Sequence, residues 1–289
     1  LKSIDVTFQN TCLGVFKFMI AKLSGKTRLY MTVGYPIGQV KSPADITCSF
    51  KARDVDAVQV PIEISPEGID TFFKGVQSAT NLDGMVITIP YKFIGANMCK
   101  TLTHRAERLG AANIIRRNSD GSWHGDLTDG IGFCNAVHKA GSVIKGKQAL
   151  LIGAGGAGSA IALALLDTGL AALGIYDVDR SRSVNLMNLL ARDYRNVWVV
   201  PNSDPKAYDI IAHATPSGMK SEDPLPLDVG QLTENMHVGD VVTEPGITPL
   251  IVASRERGCR THTGTEMFEG QREMIVDFFL HKDEHKPQK

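Results

Sequence analysis

The sequence lacks any surplus of charge. Its 31 lysines and arginines are matched by 31 aspartates and glutamates. Without a basic excess there is no electrostatic footprint for nucleic acid or an anionic membrane, and neither is expected as a partner. No apolar run approaches the ~18–20 residues that a membrane-crossing helix needs. Cysteine is scarce and unpatterned: Cys12, Cys48, Cys99, Cys134 and Cys259 are odd in number, scattered, and form no CxxC. They read as free thiols in a reducing cytoplasm rather than as a disulfide framework. The histidines form no HExxH and no Cys/His cluster, so no metal site is expected. Internal repeats and low-complexity tracts are also missing, which excludes a solenoid.

What remains is ordinary globular material, 43% hydrophobic and 21% charged over 289 residues. A chain of that length buries about three quarters of its unfolded surface and needs no staples. Residues 1–18 lack a basic n-region and an obvious cleavage site, so they do not read as a signal peptide, and Met19 would make a natural start.

The most informative feature is Gly153-Ala154-Gly155-Gly156-Ala157-Gly158. It follows an apolar run, Ala149–Ile152, and opens into Ser159–Leu166, which reads as a helix. A GxGxxG between strand and helix marks a dinucleotide loop. The first glycine permits the tight turn, the second the approach of backbone amides to a pyrophosphate, the third close helix–strand packing. The helix N-terminus then faces the phosphates. Asp177 stands at the end of the next strand, roughly 20 residues on, where an acid accepts hydrogen bonds from the adenosine ribose and repels a 2′-phosphate. The cofactor expected is therefore NAD in preference to NADP. A competing role for Asp177 is the N-cap of the following helix; Arg180 and Arg182 lie close by.

Strands are expected at 29–33, 57–62, 85–89, 113–116 and near Trp123, then at 148–152, 173–177, 197–200, 209–212 and 240–242. Helices are expected between them, including one or two pieces over 93–109 and one over 129–140. Such alternation argues for parallel α/β architecture with covered faces.

Several segments then share one resemblance. They are Tyr35–Pro43, Ile87–Lys92, Gly110–Asn113, Gly125–Gly130, Ala214–Met219 and Gly264–Gln271. In this order they resemble the shikimate/quinate dehydrogenase family over nearly the whole chain. The resemblance implies an α/β fold of two domains: an N-terminal substrate domain and a Rossmann domain, with the last helix packing back onto the first. The expected partition is an extension at 1–26, a substrate domain at 27–130, a Rossmann domain at 131–263, and a returning helix at 264–289. It further implies reversible hydride transfer between a nicotinamide and a ring hydroxyl carbon of a small cyclic hydroxy substrate, in a monomer or homodimer. Lys92 and Asp129 match the family's catalytic pair. A lysine can take the alcohol proton or stabilise a developing alkoxide, and a carboxylate orients it. The plain alternative for the two residues is a surface ion pair, and His124 is a rival base.

Ser42, Thr88, Asn113 and Gln271 stand at the family's polar substrate positions. Thr215, Pro216, Met219 and Gly264 lie in its cofactor motifs. The chain departs from the pattern at Val40, Val86 and Leu127, where the family carries a serine and two asparagines, and at Thr243, where a tyrosine is common. Losing hydrogen-bond partners weakens discrimination for a polar substrate. Two readings stay open: a less polar cyclic substrate, or the same acid held by new donors such as Tyr35, Gln39 or Thr243. Competing functions are an NAD-binding sensor that kept the fold, or another two-domain Rossmann dehydrogenase.

Overall fold

Alternating strands and helices assemble into two six-stranded sheets in the computed structural model, which describes residues 23–281. The first sheet uses β1 (Arg28–Gly34), β2 (Ala57–Glu63), β3 (Leu82–Ile87), β4 (Thr101–Leu102), β5 (Ile114–Arg117) and β6 (Trp123–Asp126), in the order β2-β1-β3-β5-β6-β4. The second uses β7 (Gln148–Ile152), β8 (Ala172–Tyr176), β9 (Val197–Val199), β10 (Ile210–His213), β11 (His237–Asp240) and β12 (Arg260–His262), in the order β12-β11-β10-β7-β8-β9.

Every pairing in the second sheet is parallel. Its strand order is that of a doubly wound dinucleotide fold, whose direction reverses between β7 and β10 and opens a crevice there. Ala149–Ile152 is buried throughout, as a parallel strand covered on both faces must be.

The parallel pairing expected from the alternation extends through the second sheet but only part of the first. β1 pairs in parallel with β2 and β3, but β5 runs antiparallel to both β3 and β6. For β5 and β6 the reason is the short link from Arg117 to Trp123, a polar turn containing Asp120-Gly121, with Gly121 at φ 81°. So short a link can join only antiparallel neighbours.

The helices are α1 (Ser42–Ala52), α2 (Ile69–Val76), α3 (Lys92–Asn97), α4 (His104–Leu109), α5 (Asp129–Lys139), α6 (Gly156–Asp167), α7 (Arg180–Leu190), α8 (Pro249–Glu256) and α9 (Gly264–Leu280). The helical stretch expected at 93–109 is two helices parted by β4, because Thr101 and Leu102 pair with His124 and Gly125. β12 is a strand that the sequence reading missed.

α9 starts from a capping box in which Thr263 and Glu266 satisfy each other's backbone amides. It then returns to the first sheet, where Phe279 meets Tyr30 at 4.8 Å and Phe50 at 6.4 Å between ring centroids. Arg53 closes the contact with Glu273 at 2.8 Å and Asp277 at 2.5 Å. α5 leads out of the first sheet and packs on α6 of the second. The approach is so close at Gly130 that a Cβ there would sit 2.1 Å from the Ala160 carbonyl oxygen.

Candidate active site

Lys92 and Asp129 are each the first residue of a helix, the one following β3 and the other following β6 in the chain. Lys92 Nζ donates to Asp129 Oδ2 at 2.5 Å, with the side chains only 10% and 9% exposed. The pair is therefore buried, not the surface ion pair that was the alternative.

Three amide and hydroxyl side chains complete the surroundings of the acid. Asn113 Nδ2 donates to Asp129 Oδ1 at 3.1 Å, and Gln271 Nε2 reaches the same oxygen at 3.3 Å. The Thr128 hydroxyl donates to Gln271 Oε1 at 2.6 Å, while the Thr128 N–H donates to Asn113 Oδ1 at 2.8 Å. The start of α5 also places the carboxylate at the positive end of a helix dipole. Lys92 from the start of α3, Asn113 just before β5 and Gln271 from α9 thus converge on one carboxylate at the start of α5. An ammonium held this way is fixed in place and can exchange a proton with a nearby hydroxyl.

The stem of Lys92 lies against the dinucleotide loop. A Cβ on Gly156 would come 3.1 Å from Lys92 Cδ. The loop itself has the form its sequence asks for. Gly153 adopts φ 103°, and a Cβ at Gly158 would strike the Gly153 carbonyl oxygen at 1.9 Å. At Gly155 a Cβ would meet nothing within 4 Å, so the face of the loop that must receive a pyrophosphate is open. Ala154 and Ala157 complete the run, and Ala154 is buried. These residues fit a dinucleotide.

Asp177 is tied into that loop. Its Oδ2 accepts the Ala154 N–H at 2.7 Å and its Oδ1 the Asp179 N–H at 2.9 Å. The helix-capping alternative falls to its neighbour, since Asp179 caps α7 by accepting the Ser181 N–H at 3.0 Å. Arg182 is drawn to Asp179 at 3.5 Å.

Across the crevice stand Thr215, Pro216 and Met219, in the loop after β10. Thr215 Cγ2 lies 2.8 Å from where a Gly153 Cβ would be. Gly264 opens α9 and would clash with the Val241 and Val242 carbonyls if it carried a Cβ. The halves also meet directly: the Thr243 hydroxyl donates to the Gln39 carbonyl at 3.1 Å, and Lys41 pairs with Glu244 at 3.3 Å.

The departures from the family pattern lie in different surroundings. Leu127 is 2% exposed and packs in a core with Ala106, Leu109 and Phe133. Thr128, the next residue, turns toward Asn113 instead. Val86 packs with Tyr30, Phe50, Ile114 and Phe279. Val40 remains in the loop before α1. Ser42 shares a hydrogen bond with Thr32, Oγ to Oγ1 at 3.1 Å, and Thr32 lies beside Val86 in the sheet register. Thr88 is half-buried just past β3, with its Cγ2 against Gly34. Sequence reasoning missed Thr32 and Thr128.

The rival base is engaged elsewhere. His124 Nδ1 bonds the Thr101 hydroxyl at 2.8 Å and its ring stacks on Phe278, and it lies in β6.

With this geometry in place, comparison with known proteins gives a consistent picture. A family model for the shikimate dehydrogenase substrate binding domain matches residues 32–115. A shikimate dehydrogenase (NADP(+)) of Rubrobacter xylanophilus is 34% identical over 253 residues, spanning 86% of this chain and 89% of that protein. Quinate dehydrogenase from Corynebacterium glutamicum, solved in complex with NAD, superposes with a TM-score of 0.77 at 28% identity, covering 88% of this chain and 94% of that one. The ligand-free 5-ketofructose reductase of Gluconobacter sp. strain CHM43 does so with a TM-score of 0.77 at 25% identity, covering 89% and 94%.

Proposed function

The chain belongs to the shikimate/quinate dehydrogenase family, and we propose that it is an NAD-dependent oxidoreductase acting on a ring hydroxyl of a shikimate- or quinate-like cyclic substrate. The observation that carries this reading is the buried Lys92–Asp129 pair lying against Gly156 of the dinucleotide loop.

A bound nicotinamide supplies the hydride acceptor. The protein supplies the rest. Lys92 Nζ, as the amine, takes the hydroxyl proton as hydride leaves carbon; in the reverse direction the ammonium returns it to the carbonyl oxygen. Asp129 Oδ2 fixes the nitrogen, and Asn113 and Gln271 fix Asp129 through Oδ1.

NAD is favoured by the carboxylates of Asp177 and Asp179 at the end of β8, since neither tolerates a 2′-phosphate nearby. Here the proposal parts from the Rubrobacter relative, which is named for NADP(+).

At the far end of the site Val40 removes one hydroxyl, and the Ser42 hydroxyl is shared with Thr32. That end therefore offers fewer donors to a carboxylate, and the proposed substrate is less polar there than shikimate. The neighbour named for 5-ketofructose, a sugar without a carboxylate, supports the reading that this scaffold accepts such molecules.

The test is steady-state turnover with shikimate, quinate and less oxygenated cyclic alcohols, each with NAD and NADP. Oxidation of a cyclic alcohol with kcat/KM higher for NAD than for NADP is expected. Turnover of none of them sinks the dehydrogenase reading. A kcat/KM for shikimate above that of every less polar analogue sinks the altered substrate.

A further inference from the structure

At the crevice between β7 and β10, the second strand ends on a fully buried histidine that none of the chemistry above uses. His213 and Asp240 are each 0% exposed. His213 Nδ1 faces Asp240 Oδ1 at 3.0 Å, and His213 Nε2 faces Thr215 Oγ1 at 2.6 Å. Thr215 Oγ1 also accepts the Ser217 N–H at 3.1 Å. Asp240 accepts two more bonds, from the Val242 N–H at 3.0 Å and the Thr248 hydroxyl at 2.6 Å.

The direction of the chain follows from its ends. A carboxylate only accepts, so the proton sits on His213 Nδ1. In that tautomer Nε2 is an acceptor, and the Thr215 hydroxyl must donate to it. This bond selects one rotamer of Thr215: the hydroxyl turned inward to the strand end, the methyl turned out against Gly153. We propose that His213 is a positioning residue for the nicotinamide dinucleotide, setting Thr215 so that the crevice presents a methyl and not a hydroxyl beside the glycine loop.

Asp240 gives the arrangement its rigidity, because its second oxygen anchors Thr248 at the start of α8 and its first holds the backbone that leads to Thr243. The loops after β10 and β11 are thereby fixed to one buried carboxylate. Losing His213 frees Thr215 to rotate and leaves a donor unmatched beside the cofactor.

The proposal rests on the dehydrogenase reading, and its test separates the two. Dissociation constants for NADH and NADPH are measured by fluorescence titration of the full chain and of His213→Leu, His213→Gln and Thr215→Ser, with melting temperature alongside. Leucine removes the acceptor, glutamine restores one near Nε2, and serine keeps the Thr215 hydroxyl while removing its methyl. His213→Leu and Thr215→Ser are expected to weaken dinucleotide binding about ten-fold, the scale of one hydrogen bond, and His213→Gln to recover most of it. With the substrate found in the panel, the cofactor KM rises while kcat at saturating cofactor stays within about three-fold. The double variant, His213→Leu with Thr215→Ser, should weaken binding little more than His213→Leu alone, because the methyl is already turned away. Should His213→Leu fail to fold, Thr215→Ser decides. Unchanged binding in Thr215→Ser, or losses that track melting temperature with no recovery in His213→Gln, overturns the role of His213. A wild-type chain that binds neither dinucleotide overturns the dehydrogenase reading as well.

Discussion

Replacing Lys92 by methionine separates proton transfer from structural pairing. Methionine keeps the unbranched stem that lies against Gly156, so the dinucleotide loop stays covered. It removes the ammonium from a carboxylate that is 9% exposed. Stranding a buried charge costs about 3–5 kcal/mol. Asn113 and Gln271 still donate to Asp129, which puts the expected loss near the low end, about 3 kcal/mol. For a chain of this size that lowers the melting temperature by roughly 6–12 °C. Turnover should fall by about 10²–10⁴-fold, the usual worth of a positioned acid–base group. The second step is Lys92→Met together with Asp129→Asn. The amide carries no charge to strand, so most of the stability returns while the turnover does not. Thermal melts followed by circular dichroism and NADH-linked rates provide both readings. Turnover that recovers together with stability would refute proton transfer at Lys92, as would a Lys92→Met enzyme within about three-fold of wild type.

Two further outcomes follow from buried geometry. His237 and His262 share a hydrogen bond at 2.8 Å, and burial pushes them down to about 4 and about 3, helped by the charge of Arg260 on His237 and by His237 on His262. Both folded values lie below the unfolded one, so the unfolded chain takes protons first and stability is lost as pH falls through about 6.5, by about 4 kcal/mol for the pair between pH 7.5 and 5. His262→Asn should halve that slope in urea unfolding at stepped pH, and a slope equal to wild type would show that the pair does not titrate on unfolding. Gly130→Ala pushes a methyl into the Ala160 carbonyl across the α5–α6 contact, and a loss of about 1–3 kcal/mol in the same unfolding assay is expected; unchanged stability would mean that the two helices part without cost.

The second sheet, β12 apart, was legible because its signals are local. β7 is a short apolar run buried on both faces, and Gly153 and Gly158 are demanded by a turn and a contact within six residues of each other. Lys92 and Asp129 were legible only through resemblance, because the contact joining them spans 37 residues and no period or spacing encodes it. What neighbours do was not legible. Leu127 and Thr128 are adjacent, yet one enters a core and the other the polar network, and that division is set by how α5 seats on α6. His213 was missed for a similar reason: one histidine ending the apolar strand Ile210–His213 looks like filler until Asp240 and Thr215 arrive from elsewhere. The antiparallel β5–β6 turn did carry its Asp-Gly signal, which the alternation of strands and helices masked.

The polar groups of the site divide by what they are already bonded to. Asn113, Thr128 and Gln271 satisfy one another and Asp129, so little of their capacity is left for a substrate, and their effect on it passes through the acid. Leu127, facing away into the core, leaves that arrangement untouched. On the proposed reading, recognition of the substrate's far end falls to Thr32, Val40, Ser42 and Thr88, on the loop and strand ends of the first sheet. A hydroxyl lost at position 40 then acts where no other group is already committed to the acid. That reading builds the proton-transfer pair and the specificity of the site on separate elements, so one can change in this fold while the other is kept.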